Sequence, residues 1–195
     1  MDENGGIKMS LEVLQINRNY GLIAVHNDLY LPAGSKFKPK IAFQGVFKKN
    51  DNSGGYDTLW SYLDVPEVVN LIRKTLVVKN GILLESFKGG EEKDGNVYSR
   101  ILKVERDGAK GKVNYIFSKG PGETHYVVNK HGQKVPGVVK PKGKATLYGK
   151  FPLSNEEAIY IAEMLDKELN AWRLLLASDY RRNPSAYDSR GRQSA

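Results

Sequence analysis

Two stretches of the chain follow the same order, in which several short segments of alternating apolar and polar residues lead into one helix. The helix starts are marked by Asp64 with Glu67 and by Ser154 with Glu157, pairs that have the spacing of a capping box. Apolar residues then recur at helical spacing after each pair. Strands followed by a helix, twice over, predict an α+β fold of two antiparallel β-sheet units, each followed by a capped helix.

A period of two in the apolar residues predicts the strands. The clearest case is 36–48, where Ile41, Phe43 and Phe47 share one parity with Phe37 and all four lysines share the other. We predict strands over 7–16, 20–31, 36–48 and 56–62 in the first unit, and over 82–88, 97–106, 112–118 and 144–151 in the second. Residues 119–143 are rich in Gly, Pro and Lys, which predicts either a long flexible loop or an extended hairpin.

The two helix starts lie nearly half the chain apart, a spacing that favours duplication of one unit. We therefore predict a single domain over 1–178, made of two similar units, 7–80 and 81–178. The remaining residues, 179–195, are predicted to form a polar tail that contains four arginines and lacks apolar periodicity.

Charge indicates the kind of partner. Lys and Arg number 30 against 22 Asp and Glu, which gives a net charge of +8. Between Lys103 and Lys144 there are ten basic residues and three acidic ones, so this window holds nearly the whole excess. A concentrated basic segment favours a polyanionic partner, most often nucleic acid, over the alternative that the charge serves solubility only.

Composition removes several classes of function. The 195 residues include no cysteine, which excludes disulfides, thiolate catalysis and cysteine-ligated metal centres. No apolar run approaches the roughly 20 residues of a membrane-spanning helix, and the residues Met1–Asn4 are unlike a signal peptide. We expect no membrane partner, and a protein of the cytoplasm or of whichever compartment holds its nucleic acid.

No catalytic or metal-binding constellation stands out. The histidines, His26, His125 and His131, lack the spacing of a metal site, and the acidic residues do not cluster. Neither a phosphate-binding loop nor a Gly-x-Ser-x-Gly elbow is present. The sequence predicts a protein that is not an enzyme, with no catalytic residues, no metal and no cofactor. A nuclease whose acidic residues come together only on folding is the alternative.

Lysines interleaved with aromatic residues on predicted strands form the candidate nucleic-acid-binding site. A single strand presents phosphates to lysines and base faces to aromatic rings. The phenylalanines of 36–48 are expected in the core, whereas each tyrosine can belong either to the core or to the site. The candidates are Lys36, Lys38, Lys40, Lys48, Tyr98, Lys103, Lys112, Tyr115, Lys119, Lys140, Lys142, Lys144, Tyr148 and Lys150.

The last predicted strand gives the most specific hypothesis. Lys144, Tyr148 and Lys150 share one parity there, while Leu147 and Phe151 share the other. Because residues two apart point to the same face of a strand, the first three are predicted to present charge, ring and charge along one outward track.

The residues at the two helix starts resemble the Whirly proteins and their relatives, which include mitochondrial guide-RNA-binding proteins and the coactivator-type single-stranded-DNA-binding fold. The similarity rests on Leu63–Glu67 and Leu153–Glu157, where a strand runs directly into a capped helix, and on Lys142–Leu147, which is similar to a Lys-Gly-Lys-Ala-Ala-Leu signature of plant Whirly proteins. In that family the signature lies on an early strand, whereas here it precedes the last helix. The resemblance implies two packed antiparallel sheets, oligomerisation through helices, and single strands bound along the sheet edges.

Together these features predict a single-stranded nucleic-acid-binding protein, with DNA favoured over RNA and little dependence on base sequence. Affinity is expected from phosphate neutralisation and stacking, and the protein is expected to form a homo-oligomer. The alternatives are a module that binds duplex nucleic acid or an acidic protein, and the nuclease considered above.

Overall fold

Two antiparallel sheets and two helices make up residues 11–30, 38–49, 54–92 and 95–182, the part of the chain that the computed structural model describes. The α+β class predicted from the sequence is confirmed. Sheet 1 contains β1 (Leu11–Arg18), β2 (Gly21–Asp28), β3 (Lys40–Lys48) and β4 (Tyr56–Asp64), and helix α1 (Val65–Val77) follows it. Sheet 2 contains β5 (Gly81–Glu91), β6 (Val97–Asp107), β7 (Lys112–Val128), β8 (Lys134–Pro141) and β9 (Leu147–Ser154), and helix α2 (Asn155–Arg182) follows it.

Strand order is simple in sheet 1 and branched in sheet 2. Strands β1 to β4 pair in sequence order, as do β5, β6 and β7. Strand β7 is 17 residues long and has two further partners. Its first part, Lys112–Lys119, pairs with β9, and its second part, Gly122–Val128, pairs with β8. Residues 119–143 therefore form the extended hairpin, one of the two forms that the sequence left open.

Aromatic side chains join the inner faces of the two sheets. The ring centroids of Phe43 and Tyr115 lie 5.9 Å apart, and those of Phe47 and Phe117 lie 5.7 Å apart. All four side chains are buried, as predicted for the two from β3. Gly149 of β9 makes room for this contact, since a Cβ there would overlap the ring of Phe47. Because successive strand residues alternate between faces, the neighbours of these rings point outward.

The helices lie on the inner side of the sheets. Glu67 of α1 lies 2.7 Å from Lys88 Nζ of β5 and accepts a hydrogen bond from Ser86 Oγ at 2.7 Å. In the other half, Glu157 of α2 pairs with Arg18 of β1. The apolar residues buried on both helices belong to one core together with the inner-face residues of both sheets. Among the described residues, the helices thus leave the outer faces of both sheets to solvent.

Hydrogen bonds join the first turn of each helix to the strand residue before it. The Ser154 N–H donates to Glu157 Oε2 at 2.9 Å, and the Glu157 N–H donates back to Ser154 Oγ at 3.2 Å. The Asp64 N–H donates to Glu67 Oε2 at 2.9 Å. Partial burial opposes ionisation of the Asp64 carboxyl, but the hydrogen bond and charge of Lys88 outweigh it and lower its pKa.

Helix α2 is longer than predicted. It continues to Arg182, so its last turn occupies residues that the sequence assigned to the tail, and 183–195 lie outside the described residues. The predicted strand residues 7–10, 31 and 36–37 also lie outside them. Within the described part, neither helix combines the length and apolar character needed to cross a bilayer.

Candidate nucleic-acid interface

Tyr148 and Lys150 lie on the outer face of sheet 2. Tyr148 is 62% exposed and Lys150 is exposed, whereas Phe151 and Leu153 of the same strand are buried. The predicted assignment of faces is therefore confirmed for Tyr148, Lys150 and Phe151. The strand register places Ile116 directly between Lys150 and Lys103. This small patch presents a ring and two ammonium groups, the groups that a base and its phosphates require.

Lys103 already has a partner within the chain. Its Nζ lies 2.7 Å from Glu105 Oε2. That hydrogen bond is the main cause that raises the pKa of Lys103, with further contributions from the negative charges of Glu105 and Glu85 and a partial opposing effect of desolvation. No such ion pair involves Lys150 within the described residues. Lys150 is consequently the more available cation of the patch.

Lys144 does not belong to this track, which corrects the sequence prediction. Strand β9 begins at Leu147, because the segment before it turns across the edge of β7. The Thr146 N–H and Oγ1 donate to the carbonyl of Lys119 at 2.8 and 3.1 Å, and the Lys142 N–H donates to the carbonyl of Pro121 at 2.8 Å. Lys144 is exposed on this connection rather than aligned with Lys150.

Tyr115 lies in the core, which overturns its place among the site candidates. Its side chain is 1% exposed and packs on Phe43. Val113 and Phe117, on the same parity of β7, are also buried, so this side of the strand faces sheet 1. Burial raises the pKa of the Tyr115 hydroxyl. A ring enclosed in this way cannot stack on a base.

Tyr98, near the start of β6, contacts Lys119 of β7. Lys119 Nζ lies 4.5 Å from the centroid of the Tyr98 ring and 2.9 Å from Glu92 Oε2. Arg100 pairs with the same carboxylate. The hydrogen bond from Lys119 is the leading cause that lowers the pKa of Glu92. Lys119 and Arg100 are therefore both ion-paired with Glu92, and a phosphate would have to compete with that carboxylate to bind them.

The β7–β8 hairpin carries most of the remaining basic candidates. Val139 anchors its base: this side chain is buried, and Ser99 Oγ donates to its carbonyl at 3.2 Å. Gly89 and Gly122 leave space for Val139, since a Cβ at either position would crowd it. Exposed lysines occupy the hairpin, its tip and the connection to β9, namely Lys130, Lys134, Lys140, Lys142 and Lys144. Glu123 is the one acidic side chain over 122–144.

The other lysine candidates are distributed elsewhere. Lys40 and Lys48 are the first and last residues of β3, in sheet 1, and Lys38 is exposed just before them. Lys112 is exposed at the start of β7, opposite Ser154. Lys36 lies outside the described residues. The structure thus does not gather the predicted lysines into one continuous site.

Sequence reasoning missed an aromatic row on the outer face of sheet 1. Trp60 and Tyr62 of β4 lie with ring centroids 6.4 Å apart and planes inclined by 14°, and the His26 ring lies 4.9 Å from Trp60. Trp60 and Tyr62 are two residues apart on a strand, a signal visible in the sequence. The neighbouring residues of β4 are not basic, so a pattern of lysines interleaved with aromatic residues does not point to this row.

Neither metal ligation nor similarity to known proteins adds to these observations. Within residues 11–30, 38–49, 54–92 and 95–182, no three His, Asp or Glu side chains are grouped as a metal site requires. No family model matches the chain, and no curated protein or solved structure matches it. The geometry of the outer faces and the hairpin therefore carries the functional proposal.

The assignment of the two tyrosines can be tested by alanine substitution. Tyr115→Ala is expected to lower the free energy of unfolding by about 3–5 kcal/mol, the usual cost of removing a buried aromatic ring. Tyr148→Ala is expected to change it by about 0.5 kcal/mol or less, as an exposed side chain should. Urea denaturation followed by circular dichroism measures both. Equal destabilisation by the two variants would show that the outer face of β9 is wrongly assigned.

Proposed function

We propose that the protein binds single-stranded nucleic acid, DNA ahead of RNA, with little dependence on base sequence and without catalysis. The observation that carries the proposal is the outward placement of Tyr148 beside Lys150 on an open sheet face. An exposed ring offers a surface on which any base can stack, and an adjacent ammonium group offers a phosphate contact. Such contacts require neither a pocket nor a base-specific hydrogen bond.

The charge of the hairpin supports the same proposal. Its lysines are exposed and its strands contain one carboxylate, so it attracts a polyanion over a long extended surface. Phosphate neutralisation releases counterions, and affinity should consequently fall as salt rises. The hairpin supplies attraction, while the ring of Tyr148 supplies a contact that salt does not screen.

A duplex-binding module is the second candidate, and the hairpin is the observation that favours it. A two-stranded β-ribbon fits the major groove of B-form DNA, and the strands β7 and β8 form such a ribbon with solvent on both faces over much of its length. Competition between single-stranded and duplex DNA separates this candidate from the first. Incubation of a labelled oligonucleotide with the protein and Mg²⁺ tests the nuclease alternative, for which we expect an intact oligonucleotide.

We also propose that the two halves arose by duplication and share a Whirly-like arrangement. In support, β4 runs directly into α1 and β9 runs directly into α2. The glutamate in the first turn of each helix, Glu67 or Glu157, meets a basic side chain of the other sheet, Lys88 or Arg18. The β7–β8 hairpin is an addition in the second half that the first half lacks among its described residues.

Homo-oligomerisation through α2 completes the proposal. Helix α2 has 28 residues against 13 in α1, and Leu169 is the last buried apolar residue among its described side chains. Beyond it Leu174 and Leu175 are 72% and 53% exposed. Exposed leucines in a helical extension are typical of a surface that packs on another subunit.

We expect Leu174→Glu combined with Leu175→Glu to convert an oligomer into a monomer, because the charges would be buried at the interface. Multi-angle light scattering at micromolar concentration measures the change. Circular dichroism checks that the variant still folds, as the exposure of both leucines leads us to expect. A wild-type protein that is already monomeric would contradict the oligomer.

The electrostatic part of the proposal is tested by charge reversal. Lys144→Glu with Lys150→Glu should weaken binding to oligo-dT and make the dependence of log K on log salt less steep by about 1.4, or ~0.7 for each lost phosphate contact. Lys167→Glu, on the exposed side of α2, is the matched control and should leave the slope unchanged. Fluorescence polarisation over a salt series gives both values. An unchanged slope in the double variant would remove these lysines from the site.

A further inference from the structure

The aromatic row on the outer face of sheet 1 has no part in holding the sheets together. Trp60 and Tyr62 alternate along β4 with Leu59, Ser61 and Leu63, which are buried on the inner face. The rings therefore point away from the core and are partly exposed. Aromatic rings that are partly exposed on the outer side of a sheet offer faces on which a base can stack.

The strands beside the row provide a flat floor for it. In register, Ala42 of β3 lies between His26 and Tyr62, and Gln44 lies directly opposite Trp60. The methyl group of Ala42 is completely buried although it belongs to the outer parity, so neighbouring side chains cover it. The His26 Nε2 lies 3.3 Å from Gln44 Oε1, a contact that ties the first ring of the row to the polar side chain beside the second.

Lysines bracket this surface. Lys40 and Lys48 lie at the two ends of β3 on the same parity as Ala42 and Gln44. They are eight residues apart, which corresponds to roughly 27 Å along an extended strand. Between them the outer face of β3 carries no charged side chain. Lys40 lies in register between Asp28 and Asp64, whereas Lys48 lies opposite Tyr56. Lys48 is therefore the lysine of the two that has no carboxylate directly opposite it on β4.

We propose that His26, Trp60 and Tyr62 form a base-stacking platform that accepts unpaired bases, with Lys48 meeting a flanking phosphate. The bases of a single strand can turn their faces onto such rings, whereas the bases of a duplex are already stacked on one another. The platform therefore selects single strands. This inference rests on the proposed function, and it places the stacking contacts on a sheet face rather than on the sheet edges that the Whirly resemblance implies.

Tryptophan fluorescence tests the platform directly, because the chain contains two tryptophans, Trp60 and Trp172. Trp172 lies on α2, where it packs against the core. The variant Trp172→Phe leaves Trp60 as the reporter, and its emission should be quenched when oligo-dT is added. The variant Trp60→Phe leaves Trp172, and its emission should not respond. A blunt duplex of equal length should not quench Trp60.

Fluorescence polarisation of labelled oligo-dT in the same samples distinguishes failure of the platform from failure of the proposed function. Binding without any response of Trp60 would overturn the platform and leave the proposed function intact, whereas no binding by the wild-type protein would overturn both. Equal quenching of Trp60 by the duplex would overturn selection for single strands.

Alanine substitution provides a second readout. Trp60→Ala or Tyr62→Ala should weaken binding about tenfold, the order of magnitude expected for loss of one stacked base, with the salt slope unchanged. Tyr160→Ala, which removes an exposed ring from α2, is the matched control and should bind normally. Unchanged affinity in both platform variants would overturn the proposal. Should either variant fail to fold in circular dichroism, the titration of the phenylalanine variants decides.

Discussion

Contact between aromatic rings on the inner faces of the two sheets determines which side chains of this protein reach the solvent. Phe43 stacks on Tyr115 and Phe47 contacts Phe117, so one parity of β3 and one parity of β7 are committed to the core. Residues that are paired in register share a face, so the inward parity of β3 and β7 also determines which residues of the neighbouring strands point inward. The outward positions of Trp60, Tyr148 and Lys150 all follow from it. If the opposite parity of these strands faced the core, the residues that now point outward would be buried.

The two outer faces that result are chemically different. Sheet 1 presents a row of three aromatic rings, whereas sheet 2 presents one tyrosine beside Lys150 and an ion-paired Lys103. Because the inner faces pack together, these surfaces point in opposite directions, and a single strand must pass around a sheet edge to reach both. On our account, a longer strand therefore gains affinity by occupying the second face once the first is bound. The basic hairpin adds attraction at the end of sheet 2 but little stacking surface.

The sequence was sufficient for those properties that depend on periodicity. The parity of Ile41, Phe43 and Phe47 predicts their burial, and the parity of Tyr148 and Lys150 predicts their exposure. The interleaving of lysines and aromatic residues leaves Tyr115 undecided between core and site, but its shared parity with Val113 and Phe117 indicates the core. Lys144 falls outside the outward track because Thr146 and Lys142 donate hydrogen bonds to residues of β7. Those residues are far away in sequence, so no local pattern predicts the bonds. The row formed by His26, Trp60 and Tyr62 depends on the register of three strands, which no local pattern encodes.

The central claim is that this protein recognises unpaired bases as well as phosphates. Competition for a labelled single-stranded oligonucleotide tests it most directly, with unlabelled single-stranded DNA and a blunt duplex of the same sequence as competitors and equal phosphate concentrations in both arms. A duplex matches or exceeds a single strand in charge density, so preference for the single strand has to come from its bases. The account predicts that the single strand displaces the label at a clearly lower phosphate concentration. Displacement by the duplex at an equal or lower concentration would contradict it.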